Sequence, residues 1–105
     1  MKKRHGLTKD QIFLLAEFQD FKCALSGFEF EILDGEIYDP TTKKRVAIDH
    51  DHDSGFIRGL LVQKVNWLID QWDQNSYGRL TMPTEIKLYK ENPPAFQLFG
   101  KIRYE

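Results

Sequence analysis

The sequence predicts an α+β fold: one small domain with an N-terminal helix, short hairpin strands, a central helix and a C-terminal helix. Three observations predict it. Apolar residues recur at helical spacing over about 8–20 and again from Leu61 towards Gln74. Between them "FEFEIL" alternates Phe28, Phe30 and Ile32 against Glu29 and Glu31, which is the period of a half-buried strand. Asp34-Gly35 and then "DHDSG" separate short strand-like runs in the way hairpin turns do.

Each element has a local cause. Thr8 stands three residues before Gln11, the capping-box spacing that satisfies free N–H groups at a helix start. Asp10 suits the first turn of that helix, and Ile12, Leu15, Ala16 and Phe18 form its apolar side. After Asp34-Gly35, "EIYD" returns as a second strand that Pro40 breaks. "RVAIDH" reads as a third strand and "FIRG" as a fourth, joined by the loop that Gly55 closes. From Leu60 the spacing changes, and Leu61, Val65, Leu68 and Trp72 make a helical stripe that "NSYG" ends. Pro83 can open a last helix, "PTEIKLYKEN", and Pro93-Pro94 must stop it. The tail "AFQLFGKIRYE" is apolar enough to pack back on the domain, without an assignable element.

Composition bounds the function. With 105 residues, 41% hydrophobic and 30% charged, the chain is ordinary globular protein. No apolar run approaches the roughly 20 residues of a membrane span, and "MKKRHG" is not followed by the apolar stretch of a secretory signal. A single cysteine, Cys23, excludes an intrachain disulfide framework and points to a reducing, cytoplasmic setting. Net charge is −1, so a nucleic-acid binder of this balance must gather its positive charge locally. Two runs could do so, Lys2-Lys3-Arg4 and Lys43-Lys44-Arg45, although solubilising charge explains either one taken alone.

The informative stretch is "IDHDHDSGFIRGLL". Of the chain's three histidines, two fall here, interleaved with Asp49, Asp51 and Asp53 at the end of a strand. His50 and His52 are two apart, so an extended backbone projects both on one side. The hairpin feeds directly into a helix that carries Asn66, a poor helix former that needs a reason to be there. Asn66 is either exposed, a hydrogen-bond partner of the hairpin, or part of a site with Asp49 and His50. Asp51 and Asp53 read as loop-shaping. Ser54 lacks the strand–turn–helix setting of a nucleophile, and His5 lies in an N-terminal stretch with no specific role expected.

Asp-His-x-His, then Gly-x-x-Arg-Gly-Leu-Leu, then Asn66 at a fixed distance resembles the ββα-metal core of His-Me finger (HNH) nucleases, specifically the phage recombination endonuclease VII family. "LTKDQIFLLAEFQDFKCALSG" and "EIKLYKENPPA" extend the similarity over about residues 7–95. One departure is large. The family usually carries a structural zinc held by two Cys-x-x-Cys pairs, which here read Cys23-Ala24-Leu25-Ser26 and Val62-Gln63-Lys64-Val65. Valine offers no donor to a closed four-ligand site, so no structural zinc is expected. Val62 and Val65 should instead face Cys23 and Ser26 as an apolar plug, with Cys23 a buried, unreactive thiol.

The resemblance implies one nuclease domain over 1–105 with its ββα-metal core at about 46–74. It also implies a Mg2+-dependent endonuclease, with Mn2+ as a substitute, that hydrolyses phosphodiester bonds in DNA. Asp49 and Asn66 would hold the ion, because hard Mg2+ takes oxygen ligands and keeps several waters. His50 would be the general base, its ordinary pKa near 6.5 leaving it mostly neutral at cellular pH. His52 would orient phosphate or lie near the metal. His50, His52 and a carboxylate could also bind Zn2+ or Ni2+ adventitiously. Arg58 would neutralise a phosphate oxygen or pair with Asp51 or Asp53, and Lys43, Lys44 and Arg45 would contact the nucleic-acid backbone. Backbone contacts carry no base code, which implies nicking or structure-selective cleavage with weak sequence preference. Relatives that resolve branched DNA act as dimers, so a homodimer is an option. The alternative is a catalytically degenerate nuclease fold that binds DNA or protein.

Overall fold

The computed structural model describes residues 3–74 and 84–105, with the side chains of 72–74 excepted. The helix-stopping "NSYG", Pro83 and the Trp72 side chain therefore lie outside the described residues.

Thr8 caps the first helix, α1 (Lys9–Phe18), as the sequence requires. Its Oγ1 accepts from Gln11 N at 3.1 Å, and Gln11 Oε1 accepts from Thr8 N at 2.9 Å. Two two-residue strands precede the helix, β1 (Lys3–Arg4) and β2 (Leu7–Thr8), paired antiparallel around His5-Gly6. The second hairpin joins β3 (Glu31–Leu33) to β4 (Glu36–Tyr38) through Asp34 and Gly35, both at positive φ as a tight hairpin turn demands. The half-buried strand expected at 28–32 is corrected in part. Phe30 is buried, but Phe28 and Ile32 are 57% and 49% exposed, because α1 packs on β4 and draws Ile37 inward instead.

The central hairpin pairs β5 (Ala47–His50) with β6 (Ile57–Leu61). Every residue of β6 is buried, with α1 and α4 packed on it and both of its edges covered. β5 takes one edge. On the other, Gln19 exchanges two 2.9 Å hydrogen bonds with the Leu60 peptide, and Ile57 N donates to Ile102 O at 2.8 Å.

The next helix, α2 (Gln63–Gln74), starts later than the spacing suggested because Leu60 and Leu61 continue β6. Buried Asp39 sits at its start and accepts from Gln63 N at 2.8 Å. The expected stripe is corrected too: Leu68 is 44% exposed, and the inward positions are Val62, Val65, Asn66 and Ile69. Those recur at i, i+3, i+4 and i+7, one helical face that the strand-borne Leu61 had masked.

The helix α3 (Thr84–Glu91) buries Tyr89. Pro94 then opens a further short helix, α4 (Pro94–Phe99), that the sequence reading did not anticipate. It packs on α1 and β6. Cys23 and Val62 share the core, with Val65 at its margin. Ser26 does not join that plug; it is exposed, because Gly27 N bonds back to Cys23 O and turns the loop outward. Among the described residues no helix is long and apolar enough to cross a membrane.

Candidate active site

A β-bulge builds the centre of the site. Asp49 pairs with Gly59 and His50 with Ile57, so Arg58 is the extra residue between them. Bulges re-aim side chains, and this one turns the Arg58 guanidinium onto Asp49. Arg58 Nε donates to Asp49 Oδ2 at 2.7 Å and Nη2 to Oδ1 at 3.0 Å, with both residues 1% exposed. Nη2 also reaches His50 O at 3.1 Å. The expected pairing of Arg58 with Asp51 or Asp53 is thereby corrected to Asp49, and at 1% exposure the guanidinium has little surface to offer a phosphate. A fully buried guanidinium locked in a two-bond pair is part of the core.

Tyr89 completes the arrangement from α3, donating its hydroxyl to Asp49 Oδ2 at 2.7 Å. It reaches the carboxylate across Gly59, where an added Cβ would lie 3.2 Å from the Tyr89 hydroxyl. Burial pushes the Asp49 carboxyl above its ordinary value, while the Arg58 charge and the hydrogen bonds from Arg58 and Tyr89 pull the other way. Burial, with Asp49 second, raises Tyr89 well above its usual value, so the hydroxyl stays protonated and keeps donating.

His50 and His52 lie together, their ring centroids 4.9 Å apart. Burial, reinforced by neighbouring His52, lowers the His50 pKa and keeps the imidazole neutral around pH 7. His52 Nε2 is 2.9 Å from Asp70 Oδ1, a carboxylate on α2 one turn beyond Asn66. Asp51 shapes the connecting loop: its Oδ1 accepts from Asp53 N at 2.8 Å and Ser54 N at 3.1 Å.

Asn66 lies on the inward face of α2, which packs against β5. Its Oδ1 is buried and has no hydrogen-bond partner among the described residues. An orphaned buried oxygen is uncommon and costs about 1–3 kcal/mol unless something occupies it. A divalent cation would do so. Asp49 Oδ2 already accepts two hydrogen bonds, but Oδ1 accepts one and keeps a second lone pair. One amide oxygen and one carboxylate lone pair suit a hard ion that retains most of its waters. No cluster of three or more His, Cys, Asp or Glu side chains forms a ready-made cage among the described residues.

The basic run is less free than the sequence implied. Lys43 pairs with Glu31 at 3.0 Å and Arg45 with Glu36 at 2.8 Å. Both are surface pairs, which contribute little to stability. Arg45 also lines a cleft of about 540 Å³ with Lys3, Arg4 and Lys9, facing Asp34 and Glu36. Arg45, about forty residues on in the chain, thus comes to one place with Lys3 and Arg4, while Lys43 and Lys44 do not line the cleft.

Sequence reasoning missed Asp70, Tyr89 and Tyr104. Asp70 carried a usable signal, four residues beyond Asn66 and so on the same helix face. Neither tyrosine did. His5, to which no role was given, stacks on Tyr104 at 4.7 Å between centroids, and Tyr104 stacks on His50 at 3.7 Å.

Fold and site together define a small α+β protein whose bulged hairpin and following helix carry a buried Asp–Arg pair beside two histidines. Family comparison gives that class its name. Residues 1–96 match recombination endonuclease VII, and the chain belongs to that family. It is similar to the Gene 59 protein of Mycobacterium phage L5, 31% identical over 97 residues, and to that of Mycobacterium phage D29, 29% identical over the same length. Each alignment covers 92% of this chain and 51% of the relative, so the chain spans about half the length of the curated relatives it matches. No solved structure matches it.

Proposed function

We propose that this protein is a divalent-metal-dependent endonuclease that hydrolyses phosphodiester bonds in DNA, nicking or selecting by structure with weak sequence preference. In this reading β5, β6 and α2 are the ββα-metal core, about residues 46–74 of one nuclease domain spanning 1–105. The observation that carries it is the buried Asn66 Oδ1 without a donor, on the helix face that packs against the strand holding Asp49 and His50.

Asn66 Oδ1 and Asp49 Oδ1 would hold the ion, Mg2+ or Mn2+. When bound, it polarises the phosphate and stabilises the charge on the departing 3′ oxygen. His50 takes a proton from a water whose oxygen attacks phosphorus, and the P–O3′ bond breaks with its electron pair going to the 3′ oxygen. A neutral imidazole can accept that proton, consistent with the lowered pKa of His50. Asp70 orients His52 through their 2.9 Å contact, leaving that ring beside His50 to position phosphate. Arg58 and Tyr89 act through Asp49, fixing its rotamer and leaving one lone pair of Oδ1 available. Lys43, Lys44, Arg45 and the cleft with Lys3, Arg4 and Lys9 supply cationic contacts for backbone phosphates. The phage relatives favour action in the cytoplasm of a host cell, and a homodimer would bring two such sites to two strands.

The test is nicking of supercoiled plasmid with Mg2+ or Mn2+. Cleavage should disappear with EDTA and with His50→Ala. Independently of activity, Mg2+ should raise the melting temperature of the wild type and not that of Asn66→Leu. Tight DNA binding without turnover in any divalent ion would favour the degenerate binding module instead.

A further inference from the structure

The C-terminal stretch reaches the site. Ile102 O accepts from Ile57 N at 2.8 Å, Tyr104 N donates to Gly55 O at 2.7 Å, and Arg103 bridges to Phe56. Residues 102–104 thus run as an added edge beside the return strand of the bulged hairpin, tied to the same loop that presents His50 and His52. The N-terminal turn clamps this tail from the other side. Gly6, at φ +98°, lets the backbone approach so closely that an added Cβ would fall 2.4 Å from Arg103 O. His5 is held at φ 52° in the same turn.

The outcome is a three-ring stack. His5 and Tyr104 are 7° from parallel with centroids 4.7 Å apart, and Tyr104 and His50 are 17° from parallel at 3.7 Å. Both ends of the chain are bent back, through strained backbone at His5 and a glycine that tolerates no side chain, to lay one phenol ring flat on one imidazole. The His50 ring can turn about its χ2 torsion, a broad and soft coordinate. A ring stacked on its face restricts that rotation and so restricts where its nitrogens point. Proton transfer from water demands a nitrogen within about 2.6–3.2 Å and correctly aimed.

We propose that Tyr104 is a positioning residue for the hydrolysis: flanked by His5 and His50, it fixes the plane of the His50 ring. The inference rests on His50 acting as general base. It assigns function to the phenol's aromatic face and none to its hydroxyl.

The experiment is steady-state plasmid or oligonucleotide cleavage by the full chain, with wild type, Tyr104→Leu, Tyr104→Phe and His50→Ala compared. Tyr104→Leu should lower kcat at least about tenfold with KM unchanged, the scale of a misaligned reacting group. Tyr104→Phe should rescue it. In NMR spectra of the folded proteins, the His50 ring protons should show an upfield ring-current shift in wild type and Tyr104→Phe that vanishes in Tyr104→Leu. Retained dispersion of the core methyl resonances in Tyr104→Leu shows that the leucine variant has folded. Wild-type kcat in Tyr104→Leu beside an inactive His50→Ala would overturn the role of Tyr104 alone. Loss of kcat in Tyr104→Phe would overturn it too, by moving the function to the hydroxyl. Full activity in His50→Ala, or none in wild type, would overturn the reading of His50 and this inference with it.

Discussion

Arg58→Met is the perturbation that most cleanly separates the two readings of this arginine. The change preserves much of the side-chain volume and removes the charge. In the structure it abolishes hydrogen bonds of 2.7 Å and 3.0 Å to Asp49 and one of 3.1 Å to His50 O, all at a residue 1% exposed. Asp49 is left as a buried carboxylate with only the Tyr89 hydroxyl, and breaking a buried pair from one side costs about 3–5 kcal/mol. A domain of this size has about 5–15 kcal/mol in total, so the loss is a large share. With about 2.1 cal/mol/K per residue of unfolding entropy, it corresponds to a fall of roughly 14–23 °C in Tm. Urea denaturation followed by tryptophan fluorescence would measure it. Replacing the whole buried set, with Asp49→Leu, Arg58→Met and Tyr89→Phe together, should recover most of the loss, because an apolar set of similar volume leaves no uncompensated charge. If Arg58→Met cost under about 1 kcal/mol while DNA binding weakened, the arginine would be a phosphate contact after all and the buried-pair argument would fail.

Two further outcomes follow from the electrostatics. Because burial and His52 hold His50 below its usual pKa, cleavage should fall only on acidification through that lowered value and stay flat above it; a rate still climbing well above pH 7 would exclude His50 as the base. Burial raises the Asp39 pKa, but hydrogen bonds from Thr41 and from Gln63 N at the start of α2 more than offset it and bring the carboxyl below its ordinary value. Its contribution is therefore full above the unfolded carboxylate value near 3.9 and lost as pH falls through the lower folded value. Asp39→Ala should cost about 2 kcal/mol at pH 7, with the gap to wild type closing below about pH 4 in thermal melts.

Much of the fold was legible because its causes are local. The capping box at Thr8 and Gln11 and the turn at Asp34-Gly35 each depend on a few neighbouring residues, and both stand where the spacing puts them. The start of α2 was misplaced for a reason equally physical. Leu60 and Leu61 satisfy a helical stripe and a buried strand alike, and only the pairing of Ile48 with Leu60 decides between them. Once that choice shifts the helix, the buried face becomes Val62, Val65, Asn66 and Ile69, which turns Asn66 inward. The stripe beside Asn66 is what the structure corrects; Asn66 itself stands on the inward face with its Oδ1 unpartnered among the described residues.

What the sequence determined by itself was membership: the Asp-His-x-His run, the Gly-x-x-Arg-Gly-Leu-Leu return and Asn66 are chemistry written in order along one hairpin and one helix. Which partner each group takes was decided only in three dimensions. Arg58 meets Asp49 through a bulge, Tyr89 crosses Gly59 from a helix thirty residues on, and Tyr104 closes on His50 with His5 stacked on Tyr104. Short-range spacing fixes a residue's secondary structure. The contacts of a side chain depend on which distant elements the core brings beside it, and no local pattern encodes that.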